Sequence, residues 1–383
     1  MDPMHPVATG RSGLGSRLQG TSGADGSSFR AMSALEAPGP LDDRWEAARA
    51  QSQSLFRGCL ALTAAITLVW LGLLLSGRGS SVLGRPLDAM SPVRLLVGFV
   101  IAGVLWGWLW YGVKRLLLRK VVGLTREETD ATFLSRVRRP FDLGALLQAH
   151  SERLVRIADM IGRRGRYVTI GMLGYSYVYT RIALAPKADF LVMGLQESLF
   201  DALGYSWLML AVFYSDGFLG RVAYGAQTRI MDGVLGRANA LVILTLWSLF
   251  KFIMVPLGAE LAATFPPRTY GALFAIVWIS YLGGDALSEI VGSLWGRQKL
   301  RVWGVGEVNR KSVAGTVACF LGSLAICLSL VHANGLGRPW VGLAFAVSAS
   351  NTAFELLSPR GTDDFTMATG NALLCWAFGR LVY

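Results

Sequence analysis

The sequence carries little charge for its length. Asp, Glu, Lys and Arg make up 16% of the 383 residues, and hydrophobic residues make up 53%. A soluble domain normally has about 25% charged residues. The mean hydropathy is correspondingly high, at +0.45. This composition argues against a soluble globular domain and favours a chain that lies largely in lipid.

Cysteine and histidine are scarce, and neither shows the spacing of a metal site. The four cysteines all lie within apolar segments, where we interpret them as small buried hydrophobic residues rather than disulfide partners: Cys59, Cys319, Cys327 and Cys375. The three histidines, His5, His150 and His332, are scattered along the chain. No apolar stretch follows Met1 closely, so we also expect no secretory signal.

Long apolar segments are what the sequence has instead. They approach the roughly 20 residues that a helix needs to cross a bilayer. We predict an all-α fold, a polytopic transmembrane helix bundle of about nine spans, and the 45 glycines fit tight helix packing in lipid. The predicted spans are Phe56–Ser76, Arg94–Val113, Tyr167–Ala185, Phe190–Tyr214, Ala238–Leu257, Arg268–Gly283, Val313–Val331, Arg338–Leu356 and Phe365–Val382.

The net charge is +12. In a soluble protein this excess would favour a nucleic-acid partner. In a membrane protein it fits the enrichment of Lys and Arg in cytoplasmic loops, so we expect a lipid bilayer and no nucleic acid as partner. Alternation of the spans then places the segment Val121–Arg166, the loop Ser215–Arg237 and the loop after Gly283 in the cytoplasm. We predict an integral, multi-pass protein, in the cell membrane of a bacterium or in an endoplasmic reticulum or plastid membrane of a eukaryote.

Composition divides the chain into four parts. Residues 1–45 are rich in Gly, Ser, Ala and Pro and are predicted to be a disordered tail. Residues 46–120 are predicted to form a transmembrane hairpin added to the core. Residues 121–166 form a basic cytoplasmic segment near anionic headgroups, with phosphate binding by its arginines as the alternative. Residues 167–383 are predicted to be the membrane-embedded core.

An acid pair follows the sixth predicted span. Asp285 and Glu289 are four residues apart, so on a helix they share one face. Ionisable residues are costly at the membrane and are candidates for function. Two carboxylates suit Mg²⁺, which proteins hold through one or two carboxylates and substrate phosphates. The alternative is that both acids pair with Arg297 or Lys299 at the interface.

The residues after this pair are typical of an anion site. Gly292 and Gly296 leave a helical stripe free of side chains, which allows either a phosphate or, more commonly, another helix to approach. Arg310 and Lys311 then precede Ser312, a predicted helix N-cap. Cations beside a helix N-terminus favour binding of an anion.

These motifs, taken in order, resemble the CTP-dependent polyprenol and lipid kinases, namely dolichol kinase, phytol kinase and CTP-dependent diacylglycerol kinase. The family's last motif, an acid at a helix end followed by Gly-x-Asp-Asn, is similar to Glu355 and the later Gly361-x-Asp363-Asp364, with Asp364 where Asn is usual. The earlier matching residues are Gly284-Asp285, Ala286, Gly292, Gly296-Arg297 and Lys311-Ser312-x-x-Gly315.

One motif of that family departs in this chain. The family has an Arg-Lys pair followed by His before its first core span, and "LVRIADMIGRR" is the nearest equivalent. Arg156 corresponds to the Arg, whereas Ile157 replaces the Lys and Asp159 replaces the His. Arg163 or Arg164 is the candidate substitute. An altered activity is therefore an open alternative.

The resemblance implies CTP as phosphoryl donor, Mg²⁺ as cofactor and a membrane lipid alcohol as acceptor (a polyprenol, a phytol-type isoprenoid alcohol or diacylglycerol). It implies catalytic roles for Asp285, Lys311 and Asp363, and metal binding by Asp285 with Glu289 or Asp363. Glu355, Asp364 and Arg156 are further candidates. The implied nucleotide-binding residues are Gly284, Gly292, Gly296, Arg297, Arg310, Ser312 and Gly315.

Two other functions compete with this interpretation. A phosphatidate cytidylyltransferase also uses CTP, Mg²⁺ and a lipid, but it transfers CMP, and the dense Gly-His-Gly-Gly pattern expected of that family is absent from the sequence. A membrane transporter would show internal repeats and charges within its spans. No convincing repeat is present. The charged candidates within spans are Glu197, Asp201, Lys251 and Glu260.

Overall fold

Helices make up nearly all the regular structure in the computed structural model, which describes residues 41–75, 90–184, 206–302, 309–358 and 361–382. A π-helical turn spans Leu118–Val122, and a 3-10 segment spans Ile230–Leu235. The helices are α1 (Leu41–Leu75), α2 (Met90–Leu117), α3 (Arg126–Phe133), α4 (Leu143–Ala149), α5 (Glu152–Leu184), α6 (Trp207–Ala211), α7 (Phe218–Gly225), α8 (Gly236–Thr264), α9 (Pro267–Trp295), α10 (Val313–Ala333), α11 (Arg338–Leu357) and α12 (Asp363–Val382).

Five of these helices contain a segment that is long and apolar enough to cross a membrane. The segments overlap five of the predicted spans and confirm the all-α, membrane-bundle character of the chain. They are Trp45–Val69, Ile230–Phe250, Thr269–Trp295, Val313–Ala333 and Arg338–Leu357.

The total of nine spans stays a prediction. Helices α2, α5 and α12 contain three more of the predicted segments but, as far as their residues are described, are not among the five. The predicted span Phe190–Tyr214 lies largely outside the described residues, as do Glu197 and Asp201. The predicted disordered tail also lies outside them up to residue 40.

The sequence predicts a loop directly after Gly283, and this prediction is wrong for the residues up to Trp295. Helix α9 continues to Trp295, and only then does the chain leave helical structure. Glycine weakens helices in water, but in a packed bundle Gly283 and Gly284 are tolerated because neighbouring helices approach them closely. Beyond α9, strands β1 (Lys299–Val302) and β2 (Asn309–Ser312) pair antiparallel, with Leu300 opposite Lys311.

Helix α9 lies at the centre of the described bundle, packed against α5, α10, α11 and α12. Its approach to α10 depends on glycine. A Cβ added at Gly315 would lie 2.8 Å from the carbonyl oxygen of Ser288, and one added at Gly292 would lie 3.0 Å from Ser312 Oγ. A Cβ at Gly284 would collide with Ser323 Oγ. The two helices therefore come closest beside the acid pair.

A set of polar side chains crosses the apolar core below that point. We call Ser280, Ser323, Asn351 and Asn371, one from each of α9 to α12, the buried amide network. Asn351 Nδ2 donates to Ser280 Oγ at 3.1 Å and to Ser323 Oγ at 3.2 Å. Asn371 Nδ2 donates to Asn351 Oδ1 at 2.8 Å. Because lipid offers no alternative partners, these bonds help to fix the register of the four helices.

Candidate functional site

The acid pair of α9 faces a group of arginines. Arg164, on α5, donates through Nη1 to Asp285 and through Nε to Glu289. Arg163 donates to the other oxygen of Glu289, and Arg229 Nη2 lies 3.7 Å from that oxygen. Asp285 is 4% exposed and Arg164 is 7% exposed. We call these five residues the arginine–acid cluster.

Lys311 is the centre of a second group. From β2 it reaches Glu355 Oε1 at 2.5 Å, near the end of α11, and Asp363 Oδ2 at 3.7 Å, at the start of α12. Ser288 Oγ, on α9, donates to the same oxygen of Glu355 at 2.9 Å. We call Ser288, Lys311, Glu355 and Asp363 the lysine–acid cluster.

The neighbouring carboxylates stabilise the charged form of Lys311. Burial disfavours the ammonium form, but the carboxylates of Asp363 and Glu355 outweigh that effect, so the pKa of Lys311 is raised above its ordinary value. Lys311 is therefore a cation throughout the physiological pH range.

The two clusters belong to one region, because α9 contributes Ser288 to one and its neighbour Glu289 to the other. Together they contain four cations (Arg163, Arg164, Arg229 and Lys311) and four carboxylates (Asp285, Glu289, Glu355 and Asp363). A planar guanidinium group suits bidentate contacts with phosphate, whereas a lysine acts as a point charge. The region thus holds the groups that phosphate recognition requires.

Ser312 is the N-cap of α10, as the sequence predicts. Its Oγ accepts a hydrogen bond from the backbone N–H of Gly315 at 3.1 Å. Ser312 also fills the space that Gly292 and Gly296 leave open, since a Cβ on either glycine would crowd its Oγ. The geometry therefore supports helix packing, the second of the two roles considered for these glycines. A direct role in nucleotide binding stays a prediction for Gly284, Gly292, Gly296, Ser312 and Gly315.

Other predicted residues lie outside both clusters. Arg156 pairs with Glu152 one turn earlier, and both side chains are 52% exposed. Arg156 precedes Arg163 by seven residues, which is about 11 Å along a helix, and this separates it from the acids of α9. Arg297 is exposed just after α9. Arg310 lies on β2 opposite Arg301, with its side chain outside the described part of the chain. Asp364 is buried in the first turn of α12.

The predicted Mg²⁺ ligands, Asp285 with Glu289 or Asp363, each face a cation and so do not form an open metal site. Both oxygens of Glu289 are engaged by arginines, Asp285 is bonded to Arg164, and Asp363 faces Lys311. Across the described residues, no group of three or more His, Cys, Asp and Glu side chains lies together as a metal site.

Asp159, which stands at the position of the family's histidine, has a structural partner. The buried Lys114 lies 2.5 Å from Asp159 Oδ1 and donates to the carbonyl oxygens of Gly225 and Thr228. Asp159 Oδ2 accepts from the backbone N–H of Ile230 at 3.1 Å. Together, these contacts hold α2 and α5 against the loop that precedes α8. Among the basic residues of this segment, Arg163 and Arg164 are the ones that contact the acids of α9.

Two arginines of the polar segments stabilise the fold. Arg136 is buried and donates to the carbonyl oxygens of Ile230, Gly233 and Thr132, and burial lowers its pKa to about 10. Arg237 donates to those of Phe213, Ser215 and Phe133. Arg136 and Arg237 are therefore not placed to contact lipid headgroups or to bind phosphate. Arg138, Arg139 and Arg153 are exposed, as a headgroup role requires.

Two features are not predicted from the sequence. A single serine in a helix does not by itself indicate a site, although the position of Ser288 three residues after Asp285 places it on the same face. The buried amide network had a clearer signal, since Asn351 and Asn371 are polar residues inside apolar segments. Glu260 is one of the charged residues that a transporter could use. In the structure it pairs with Arg380 and accepts a hydrogen bond from Trp376 Nε1 at 2.9 Å.

Part of this chain is similar in sequence to a curated enzyme. A phytol kinase from Synechocystis is 33% identical over 107 residues, which is 27% of this chain and 44% of that enzyme. The chain thus spans less than half the length of the curated relative that it matches. No family model matches the chain, and no solved structure matches it. Of the enzymes named in the resemblance, phytol kinase is the one that this likeness supports.

Proposed function

We propose that this protein is a kinase that transfers the γ-phosphoryl group of CTP to a lipid alcohol at the membrane surface. The observation that carries the proposal is Lys311, held as a cation between Glu355 and Asp363 and next to the arginine–acid cluster. The partial likeness to a phytol kinase supports the same class of reaction. The motifs that resemble the CTP-dependent lipid kinases are the basis for naming CTP.

Phosphoryl transfer depends mostly on positioning and on neutralising charge, and little on covalent chemistry by the protein. Lys311 is the cation proposed to stabilise the charge that develops on the transferred phosphoryl group. Arg163 and Arg164 are proposed to hold the triphosphate. Arg163 Nε is buried and has no hydrogen-bond partner among the described residues, so it is available to a phosphate oxygen.

Asp285 and Glu289 are proposed to orient the arginines that hold the triphosphate. Each carboxylate fixes the orientation of a guanidinium group before the nucleotide arrives, which reduces the entropy lost on binding. Mg²⁺ belongs to the proposal as the ion that accompanies a nucleoside triphosphate.

The acceptor is proposed to be a polyprenol, a phytol-type isoprenoid alcohol or diacylglycerol. Its apolar tail would lie among the helices of the bundle, with its hydroxyl group at the level of the two clusters. The positive-inside pattern of the sequence favours a cytoplasmic location for this end of the bundle.

The test uses purified protein in lipid nanodiscs with CTP labelled at the γ-phosphate, Mg²⁺ and a panel of lipid alcohols. The proposal predicts label in the lipid product. Label in pyrophosphate, with CMP in the lipid, would instead support a cytidylyltransferase. Absence of label from every lipid in the panel would contradict the proposal.

A further inference from the structure

Within the described part of the chain, one oxygen of Glu355 has no hydrogen-bond partner. The residue is 2% exposed, near the end of α11. Its Oε1 accepts hydrogen bonds from both Ser288 and Lys311. Its Oε2 is buried and has no hydrogen-bond partner among the described residues.

A buried carboxylate oxygen without a donor is unfavourable and rare in folded proteins, so it calls for an explanation. Here the two protein donors both bind Oε1, and they fix the orientation of the carboxylate. No donor of the described residues reaches Oε2, so this oxygen can accept from a bound molecule. A hydroxyl group is the simplest such donor, since it supplies one O–H.

The surroundings favour a donor attached to an apolar molecule. Asn351 lies one helical turn before Glu355 on α11 and belongs to the buried amide network. Asn371 Oδ1, in the same network, is also buried without a hydrogen-bond partner in the described part of the chain. The network is enclosed by apolar residues of the bundle core, including Val277, Val347 and Met367. Two buried acceptors in this part of the bundle, Glu355 Oε2 and Asn371 Oδ1, thus have no hydrogen-bond partner among the described residues.

We infer that Glu355 is the general base that receives the hydroxyl proton of the acceptor alcohol. This inference rests on the proposed kinase function. The alcohol O–H donates to Oε2, and its oxygen attacks the γ-phosphorus of the nucleoside triphosphate. The bond between the γ-phosphorus and the β-bridging oxygen breaks, and the nucleoside diphosphate leaves with the electron pair. The proton moves to Oε2 and is later released to water.

The position of Lys311 fits this role. It touches Glu355 and lies near Asp363, so one cation is next to both the base and the proposed phosphate site. Asp363 is less suited to act as the base, because its Oδ1 accepts from the backbone N–H of Asp364 and its Oδ2 faces Lys311.

The first test compares Glu355→Gln with Glu355→Asp in the γ-label assay. The glutamine is the same size and can still accept at one oxygen, but it cannot take a proton. We expect kcat to fall by a factor of about 10² or more, as for loss of a general base, with KM for CTP changed less than about threefold. Glu355→Asp should restore part of kcat. Glu260→Gln, at a glutamate outside both clusters, is the matched control and should keep the wild-type kcat.

The outcomes separate this inference from the proposed function. No transfer by the wild-type protein would refute both. Transfer by the wild type together with a nearly unchanged kcat in Glu355→Gln would refute the role of Glu355 and leave the kinase standing. A fall in kcat that is matched by Glu260→Gln would also refute it.

A second measurement needs no variant and so does not depend on folding. The methyl ether of the acceptor alcohol keeps the apolar tail but cannot donate a hydrogen bond. We expect it to inhibit the wild-type protein with a Ki at least about tenfold above the Kd of the alcohol, since the hydrogen bond to a charged acceptor is lost. Equal affinity of ether and alcohol would overturn the inference.

Discussion

At the scale of single residues, the candidate site is defined by pairing of buried charges. Asp285 and Glu289 each bind arginine, and Glu355 binds Lys311. Buried ion pairs add little net stability, but removing one partner is strongly unfavourable because the other charge stays buried alone. This asymmetry makes the pairs testable by single and double substitutions.

We predict that Lys311→Met lowers the free energy of unfolding by on the order of 3 kcal/mol, as for a broken buried pair. The double variant Lys311→Met with Glu355→Gln should recover most of this loss, since it removes both charges. Denaturation of the detergent-solubilised protein measures both values. Equal stability of the wild type and Lys311→Met would contradict the pairing.

The effect of Lys311→Met on stability should also depend on pH. The pKa of Lys311 is raised in the folded state, so its contribution is fully present below its unfolded pKa of about 10.4. It is lost only as the pH rises through the higher folded value. The stability difference between wild type and variant should therefore be constant from neutral pH to about pH 10. A decline already between pH 7 and 9 would argue against this assignment.

We predict that Asp285 acts through Arg164 rather than through a protein-held metal. Asp285→Asn and Arg164→Met should each raise KM for CTP, and the double variant should be less than additive, because the two residues act as one unit. The apparent Mg²⁺ affinity, from activity against metal concentration, should stay unchanged in Asp285→Asn. A large loss of Mg²⁺ affinity in that variant, with additive effects on KM, would instead favour direct metal binding.

At the scale of elements, the junction of α9 and α10 positions the site. The length of the apolar segments predicts the five spans that the structure supports, and the Ser312 cap predicts where α10 begins. The continuation of α9 to Trp295 could not be predicted, because a charged, glycine-rich segment has the composition of a loop until its packing partners are known. The pairing of β1 with β2 and the contact of Arg164 with Asp285 depend on tertiary structure, since the contacting residues are far apart in sequence.

The helix junction itself gives a prediction. Gly315→Ala should destabilise the protein by about 1–3 kcal/mol, as for overpacking, because its Cβ would lie 2.8 Å from a backbone oxygen of α9. Gly342→Ala is the matched control on α11, where an added Cβ meets no atom within 4 Å. It should be neutral or slightly stabilising, given the higher helix propensity of alanine. Thermal unfolding of both variants checks this. Equal behaviour would contradict the close approach of α9 and α10.

At the scale of the whole molecule, the predicted topology places the two ends of the bundle on opposite sides of the membrane. Helix α10 has 21 residues, about 31 Å at 1.5 Å per residue, which matches the hydrocarbon core. The lysine–acid cluster lies near its first residues. Arg297 is exposed near that end, and Arg338 is exposed just beyond the last turn of α10.

We predict that Arg297→Cys reacts with a membrane-impermeant maleimide only after the cells are opened, and that Arg338→Cys reacts in intact cells. The native cysteines Cys59, Cys319, Cys327 and Cys375 are buried, so background labelling should be low. Labelling of both positions from the same side would contradict the predicted topology.

Transfer of a γ-phosphoryl group to a lipid alcohol is tested by parallel reactions with γ-labelled and α-labelled CTP. We predict γ-label in the lipid and α-label in CDP, with lipid labelling reduced by about 10² or more in Lys311→Met, the scale for losing a preorganised charge. Recovery of the α-label in the lipid and of the γ-label in pyrophosphate would contradict it.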